Sequence, residues 1–142
     1  MERLCGRLHG VLEKLLKGTG VEPGDVVGLD VDPYGPRVVV AAEPGWARRV
    51  VLDMSPDGVE AALLLEAPQG LPGGDAEEAI LEAVESLPGI GVLDEYEAAY
   101  DPEAGEAVVE LHARRLTHLP SLREVAERAR RALRGLAGGG EA

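Results

Sequence analysis

The sequence predicts an α+β domain in the element order α-ββββ-α-ββ-α, with an antiparallel sheet and the helices packed on one face. Three segments carry apolar residues at three- and four-residue steps, the spacing of an amphipathic helix. Six shorter segments are rich in β-branched and apolar residues, and turns containing Pro or Gly separate them. Because strands joined by tight turns run antiparallel, a doubly wound parallel sheet is excluded.

The first helix is predicted over residues 3–17, and Gly18-Thr19-Gly20 ends it. Four strands follow, and each boundary is a turn or break with its own chemistry. Asp32-Pro33-Tyr34-Gly35 and Ser55-Pro56-Asp57-Gly58 are predicted turns, and Glu43-Pro44-Gly45-Trp46 breaks the chain between the second and third strands. The four strands are predicted over residues 26–31, 37–42, 48–54 and 59–66.

The second half of the chain is predicted to add a helix, a hairpin and a closing helix. Asp75 is the expected N-cap of the middle helix, and Pro88-Gly89 ends it. The hairpin strands span residues 92–100 and 106–114, and Ser121 with Glu124 forms a capping box that opens the last helix. We therefore expect a single domain over residues 1–136 and a flexible, Gly-rich tail over residues 137–142.

Charge and composition exclude several classes of function. The formal net charge is −12, and residues 50–113 hold sixteen acidic residues and no Lys or Arg. Such a surface repels phosphate, so neither nucleic acid nor an anionic membrane is an expected partner. The acidic stretch either keeps the protein soluble or docks a basic partner. A single Cys and the lack of a signal-peptide pattern favour a reducing, cytoplasmic setting.

The excess of Arg over Lys, together with few Asn, Gln, Met and Cys residues, has two explanations. The scarcity of Asn, Gln, Met and Cys fits a thermophilic source, because these side chains are heat-labile. The excess of Arg over Lys fits GC-rich codon usage equally well. The composition alone leaves both open.

Three groups of residues were considered for chemistry, and each has an ordinary structural explanation. Asp30, Asp32 and Asp53 could hold Mg²⁺, but strand alternation also places them on an exposed polar face. Cys5 and His9 are one helical turn apart, yet a metal site needs a third ligand. The glycine loop before Asp75 opens onto acidic residues, which do not suit phosphate. We therefore predict no catalytic residue, cofactor or metal.

The order of elements resembles the type III secretion chaperone-like family of Tir-type chaperones. The best local match joins residues 96–101, the turn Pro102-Glu103-Ala104-Gly105, residues 107–111 and the helix from Leu122. The resemblance implies a homodimer built around the middle helix and a groove that holds an extended segment of a client protein. Antiparallel addition of the client to a sheet edge, or packing on an apolar sheet face, would provide this.

The sequence therefore favours a non-enzymatic protein-binding module, either chaperone-like or an adaptor, that acts as a homodimer. A structural subunit of a larger assembly and a small carboxylate-based, metal-dependent enzyme remain alternatives. Trp46 is the candidate partner-binding residue, since a single indole in a loop is a typical interface anchor; the commoner role of such a ring is to cap the protein's own core. Leu81 lies off the apolar face of its helix, so a second apolar surface is expected there. The dimer contact is predicted at Ile80, Leu81, Val84 and Leu87.

Overall fold

The computed structural model describes residues 10–139, and it confirms the α+β prediction. Residues 10–15 are helical and are called α1. The other helices are α2 (Gly73–Glu85) and α3 (Leu122–Gly139). The strands are β1 (Val26–Val31), β2 (Val38–Ala42), β3 (Arg49–Ser55), β4 (Gly58–Glu66), β5 (Glu95–Asp101) and β6 (Glu106–Ala113). No helix in this part of the chain is long and apolar enough to cross a lipid bilayer.

The six strands form one antiparallel sheet in the order β1-β2-β3-β4-β6-β5. The first four strands follow one another as a meander. The chain then passes through α2 and returns as a hairpin whose second strand, β6, pairs with β4. Leu65 lies opposite Ala107 in this ladder, and Val59 lies opposite Ala113. β1 and β5 are therefore the two edges of the sheet.

The core lies between one face of this sheet and the helices. Strand alternation places Val40, Leu52 and Leu111 in one cross-strand row on this face. They are buried in the same cluster as Ile80 of α2 and Leu133 of α3. Full burial of side chains this size contributes about 1.5–3 kcal/mol each, so this face holds the helices against the sheet.

The termini of several elements differ from the prediction. α2 begins at Gly73, because the Ala76 N–H donates to the Pro72 carbonyl at 2.9 Å. Asp75 is therefore in the first turn, where an acidic side chain still opposes the positive end of the helix, and the N-cap prediction was wrong. β5 starts at Glu95, after a 3₁₀ turn over Ile90–Val92.

The start of α3 follows the prediction more closely. The Ser121 hydroxyl accepts the Glu124 N–H at 3.3 Å. At its other end α3 continues to Gly139, so residues 137–139, which the sequence placed in a flexible tail, are helical. Residues 140–142 lie outside the described residues.

Thr19 joins the end of α1 to the start of α3. Its carbonyl accepts the N–H of Leu122 at 2.8 Å, which satisfies one of the free donors at the helix terminus. Its hydroxyl donates to the Leu16 carbonyl at 2.6 Å and accepts the N–H of Val21 at 3.2 Å. Thr19 is buried, with all three bonds made inside the domain. This junction fixes α1 beside α3.

Candidate functional site

The sheet face opposite the helices carries a band of apolar residues. We call its apolar residues the apolar stripe. Ala99 is exposed and the others are partly exposed, and none belongs to the core cluster. The stripe comprises Val39, Ala41, Val51, Ala62, Leu64, Val108 and Ala99. Within the described residues, no helix packs over it.

The register makes the apolar stripe a diagonal across five strands. Ala41, Val51 and Ala62 lie opposite one another on β2, β3 and β4. One row further along β4, Leu64 lies opposite Val108, which lies opposite Ala99 at the β5 edge. Side chains directly opposite in an antiparallel pair are in contact. The stripe is therefore continuous rather than a set of isolated apolar residues.

Carboxylates border one side of the stripe, and we call them the acidic border. Glu60 and Glu95 flank His112 in one cross-strand row, and Glu97 lies opposite Glu110 in the next. All four glutamates are exposed, and none pairs with a basic side chain in the described part of the chain. Together with His112 they line a shallow depression of about 160 Å³.

The opposite side of the stripe carries basic as well as acidic side chains. Arg48 reaches Glu106 at 2.5 Å and Glu66 at 3.9 Å. Arg49, which lies opposite Leu64, pairs with Glu43 at 3.3 Å. Two Arg side chains offset negative charge on this side, whereas the four border glutamates have no basic partner among the described residues, so a basic partner is attracted mainly to the acidic border.

A second apolar surface lies at the β1 edge. Val27 and Val31 are each 57% exposed and Leu29 is 39% exposed. Leu29 and Val31 line an apolar groove of about 360 Å³ between α1 and the β1–β3 end of the sheet. Across the groove, α1 contributes Val11 and Leu15. This groove is on the helix side of the sheet, so it is separate from the apolar stripe.

The residues predicted for the dimer contact are mostly internal. Ile80 and Val84 have no exposed surface and Leu87 is 4% exposed, all within the chain's own core. α2 packs against both α3 and β5, which supplies the second apolar surface that the sequence analysis sought in another copy. The expectation that these three residues form a dimer contact is therefore corrected. Leu81 is partly exposed and is the only one of the four near the surface.

Trp46, the residue expected to bind a partner, is partly buried against the core. Its indole N–H donates to the Gly20 carbonyl at 3.1 Å, and its own carbonyl accepts from the Arg130 guanidinium. Both the ring and the backbone of Trp46 therefore have partners within the domain. The structure shows it joining the loop before β3 to the α1–α3 junction.

The three aspartates considered for Mg²⁺ are each placed differently. Asp53 is held by Arg37, whose Nε and Nη2 donate to its two oxygens at 2.9 and 2.6 Å. These hydrogen bonds, with the charge of Arg37, hold the pKa of Asp53 below its ordinary value. Asp32 accepts the Tyr34 N–H at 2.8 Å in the β1–β2 turn, and Asp30 is exposed. Arg37 already neutralises the centre of this group, so the three do not form a carboxylate cage.

The other candidate ligands do not come together either. Cys5 and His9 lie outside the described residues. Between residues 10 and 139, no group of three or more His, Cys, Asp and Glu side chains is arranged to hold a metal ion. His112 contacts Asp94 at 3.4 Å, which is one carboxylate at the margin of the acidic border.

The basic residues near the C-terminus form a salt-bridged helix surface. Arg128 pairs with Glu124, and Arg123 pairs with Glu127, each at 3.2 Å and one helical turn apart. Pairs of this spacing stabilise a helix by a few tenths of a kcal/mol, about 0.2–0.5.

None of the predicted site residues belongs to the apolar stripe, although the sequence carries a signal for it. β2 reads VVVAA and β4 contains the run AALLL, both without alternation. A continuous apolar strand indicates that both faces of the sheet are to be covered.

Comparison with known proteins gives no relative that could assign this surface. No protein-family model matches the chain, and no significant match is found among curated proteins or solved structures.

Proposed function

We propose that this protein is a non-enzymatic protein-binding module, and that the apolar stripe with its acidic border binds an extended, basic segment of a partner protein. One observation carries the proposal: a continuous apolar diagonal crosses an uncovered sheet face, and four carboxylates without basic partners line one side of it. Exposed apolar area of this kind is typical of interaction surfaces.

The chemistry of the two halves of the surface defines the partner. The stripe offers small and β-branched side chains from Val39 to Ala99, so it suits a segment that presents several apolar side chains on one side. The acidic border offers Glu60, Glu95, Glu97 and Glu110, so Lys or Arg should flank those apolar residues. Like-charge repulsion would disfavour an acidic segment.

The resemblance to Tir-type chaperones supports the same kind of function, since those proteins hold an extended client segment. A chaperone-like role and a cytoplasmic location belong to this proposal. The alternative of a metal-dependent enzyme has no comparable support, because Arg37 neutralises Asp53.

A fluorescence-polarisation assay with defined peptides tests the proposal. The probe is a labelled peptide of about ten residues, the length of a long strand, that alternates Leu or Val with Lys or Arg. Its control has Glu in place of every Lys and Arg. We expect the basic peptide to bind, the acidic one not to bind, and affinity to fall at least tenfold between about 0.05 and 0.5 M NaCl.

Two kinds of variant locate the binding. Leu64→Glu should abolish it by placing a charge in the stripe, while Tyr34→Glu, at a side chain that is 97% exposed, should not. Glu97→Lys with Glu110→Lys changes only exposed border residues, so it should fold normally and still weaken the basic peptide. Equal affinity for both peptides, or unchanged binding by the border variant, would refute the proposal.

A further inference from the structure

The outer edge of β1 presents backbone groups that can pair with another strand. β1 pairs only with β2 among the described residues. The Asp32 N–H donates to the Arg37 carbonyl at 3.0 Å, and backbone groups alternate in direction along an antiparallel strand. The backbone groups of Asp30 therefore face β2, and those of Leu29 and Val31 point away from the sheet.

The residues with outward-pointing backbone groups are also those with exposed apolar side chains. Leu29 and Val31 are 39% and 57% exposed, and both face the apolar groove. Natural edge strands are commonly protected by Lys, Pro or an inward-pointing charge. β1 has neither Lys nor Pro, and its single charge, Asp30, lies on the opposite face of the strand. A β-bulge between Val26 and Gly28 interrupts this edge, so regular pairing is open to the segment from Gly28 to Val31.

The other edge of the sheet is different. β5 carries Glu95, Glu97 and Asp101, which are all exposed. A strand added there would have to pair beside three carboxylates. Strand addition is therefore favoured at β1 and opposed at β5.

We propose that β1 pairs antiparallel with β1 of a second copy of this chain, about a two-fold axis that passes beside Leu29. In this register Leu29 lies opposite Leu29 of the second copy. Asp30 lies opposite Gly28, which has no side chain. An axis at Asp30 would instead place two carboxylates opposite each other, which is unfavourable. The register centred on Leu29 avoids this conflict.

The same arrangement covers the exposed apolar side chains. A two-fold axis normal to the sheet keeps the helix sides of both copies on the same side. Leu29 of each copy then meets Leu29 of the other beside the apolar groove, next to Val11 and Leu15 of α1. The sheet becomes continuous through both copies, and the apolar stripes remain uncovered on its other side. The pairing therefore goes beyond the proposed function and does not use its surface.

Light scattering after size exclusion, at about 5–200 μM protein, tests this pairing. We expect the wild-type protein to have about twice the 14.9 kDa mass of one chain. Leu29→Arg and Leu29→Glu each place like charges together at the axis, so each variant alone should be a monomer. An equimolar mixture of the two variants should recover the dimer, since Arg then faces Glu.

Matched controls separate this edge from other surfaces. Val92→Arg changes an apolar side chain that is 50% exposed and precedes β5, so it should leave the dimer intact. Leu81→Glu on α2 should do the same. A monomeric wild-type protein at about 200 μM would refute the proposal, as would a dimeric Leu29→Arg variant or a mixture that fails to associate. In the peptide assay, Leu29→Arg should bind with wild-type affinity, because the apolar stripes lie on the other side of the sheet; failure of the dimer would therefore leave the proposed function standing.

Discussion

The indole N–H of Trp46 donates a hydrogen bond to the carbonyl oxygen of Gly20, 3.1 Å away. Gly20 follows Thr19, whose own carbonyl accepts the first N–H of α3. A residue from the loop before β3 therefore stabilises the turn that connects α1 to the start of α3. The sole Trp of the chain serves the fold at this point.

Replacing Trp46 with Ala should destabilise the fold. The ring is partly buried against the core, so we expect a loss of about 2–3 kcal/mol in the free energy of unfolding, measured by urea denaturation with circular dichroism. Trp46→Phe should lose less, because it removes the N–H donor and keeps most of the packing. Tyr34→Ala, at a fully exposed aromatic ring, is the control and should change nothing. Equal stability of Trp46→Ala and wild type would contradict this assignment.

Gly20 and Gly18 provide a matched pair for a test of backbone conformation. Both have a positive φ, +88° and +85°, which costs a residue with a side chain about 1–2 kcal/mol. A Cβ at Gly20 would also lie 2.7 Å from the Cβ of Arg123, whereas one at Gly18 would meet nothing within 4 Å. Thermal unfolding should therefore show a larger loss for Gly20→Ala than for Gly18→Ala. Equal losses would mean that α3 moves aside freely.

Tyr100→Phe should cost about 1–2 kcal/mol of unfolding free energy, although it removes one oxygen atom. The hydroxyl donates to the Pro68 carbonyl at 2.5 Å and accepts the Leu71 N–H at 3.0 Å. The substitution leaves both backbone groups unpaired in the loop before α2. Tyr34→Phe is the control. Hydrogen exchange should show faster exchange at Leu71 in the variant, and an unchanged rate would argue against this role.

The Arg37–Asp53 ion pair predicts a specific dependence of stability on pH. The pKa of Asp53 is lower in the folded than in the unfolded protein, so its contribution is present above a carboxyl's ordinary pKa of about 4. It is lost as the pH falls through the folded pKa. The melting temperature of Asp53→Asn should therefore lie below that of wild type at pH 7, and the two should converge near about pH 2. Asp57→Asn, at an exposed turn carboxylate outside the described ion pairs, is the control and should melt like wild type at both pH values. A difference in melting temperature between Asp53→Asn and wild type that persists in acid would refute the prediction.

Local patterns predicted the fold well because local chemistry determines it. Pro56 and Asp57 alone separate β3 from β4, and Ser121 caps α3 as its spacing indicates. What covers the apolar residues of α2 could not be predicted in the same way. The apolar residues on α2 show only that a surface must cover them, and whether α3 or another copy does so depends on long-range packing. The continuous apolar run of β4, by contrast, indicates that both faces of the sheet carry apolar residues, which the alternation pattern alone does not show.

The β4–β6 ladder has a consequence for how the chain folds. The meander from β1 to β4 closes through short turns. Leu65 and Ala107, by contrast, are separated in the chain by α2 and β5, so their pairing closes a long loop. Closing a long loop costs entropy before its contacts compensate, so such pairings tend to form late. We expect the four-strand meander to gain protection from hydrogen exchange first during refolding. β5 and β6 should gain it together with α2, as the rate-limiting step.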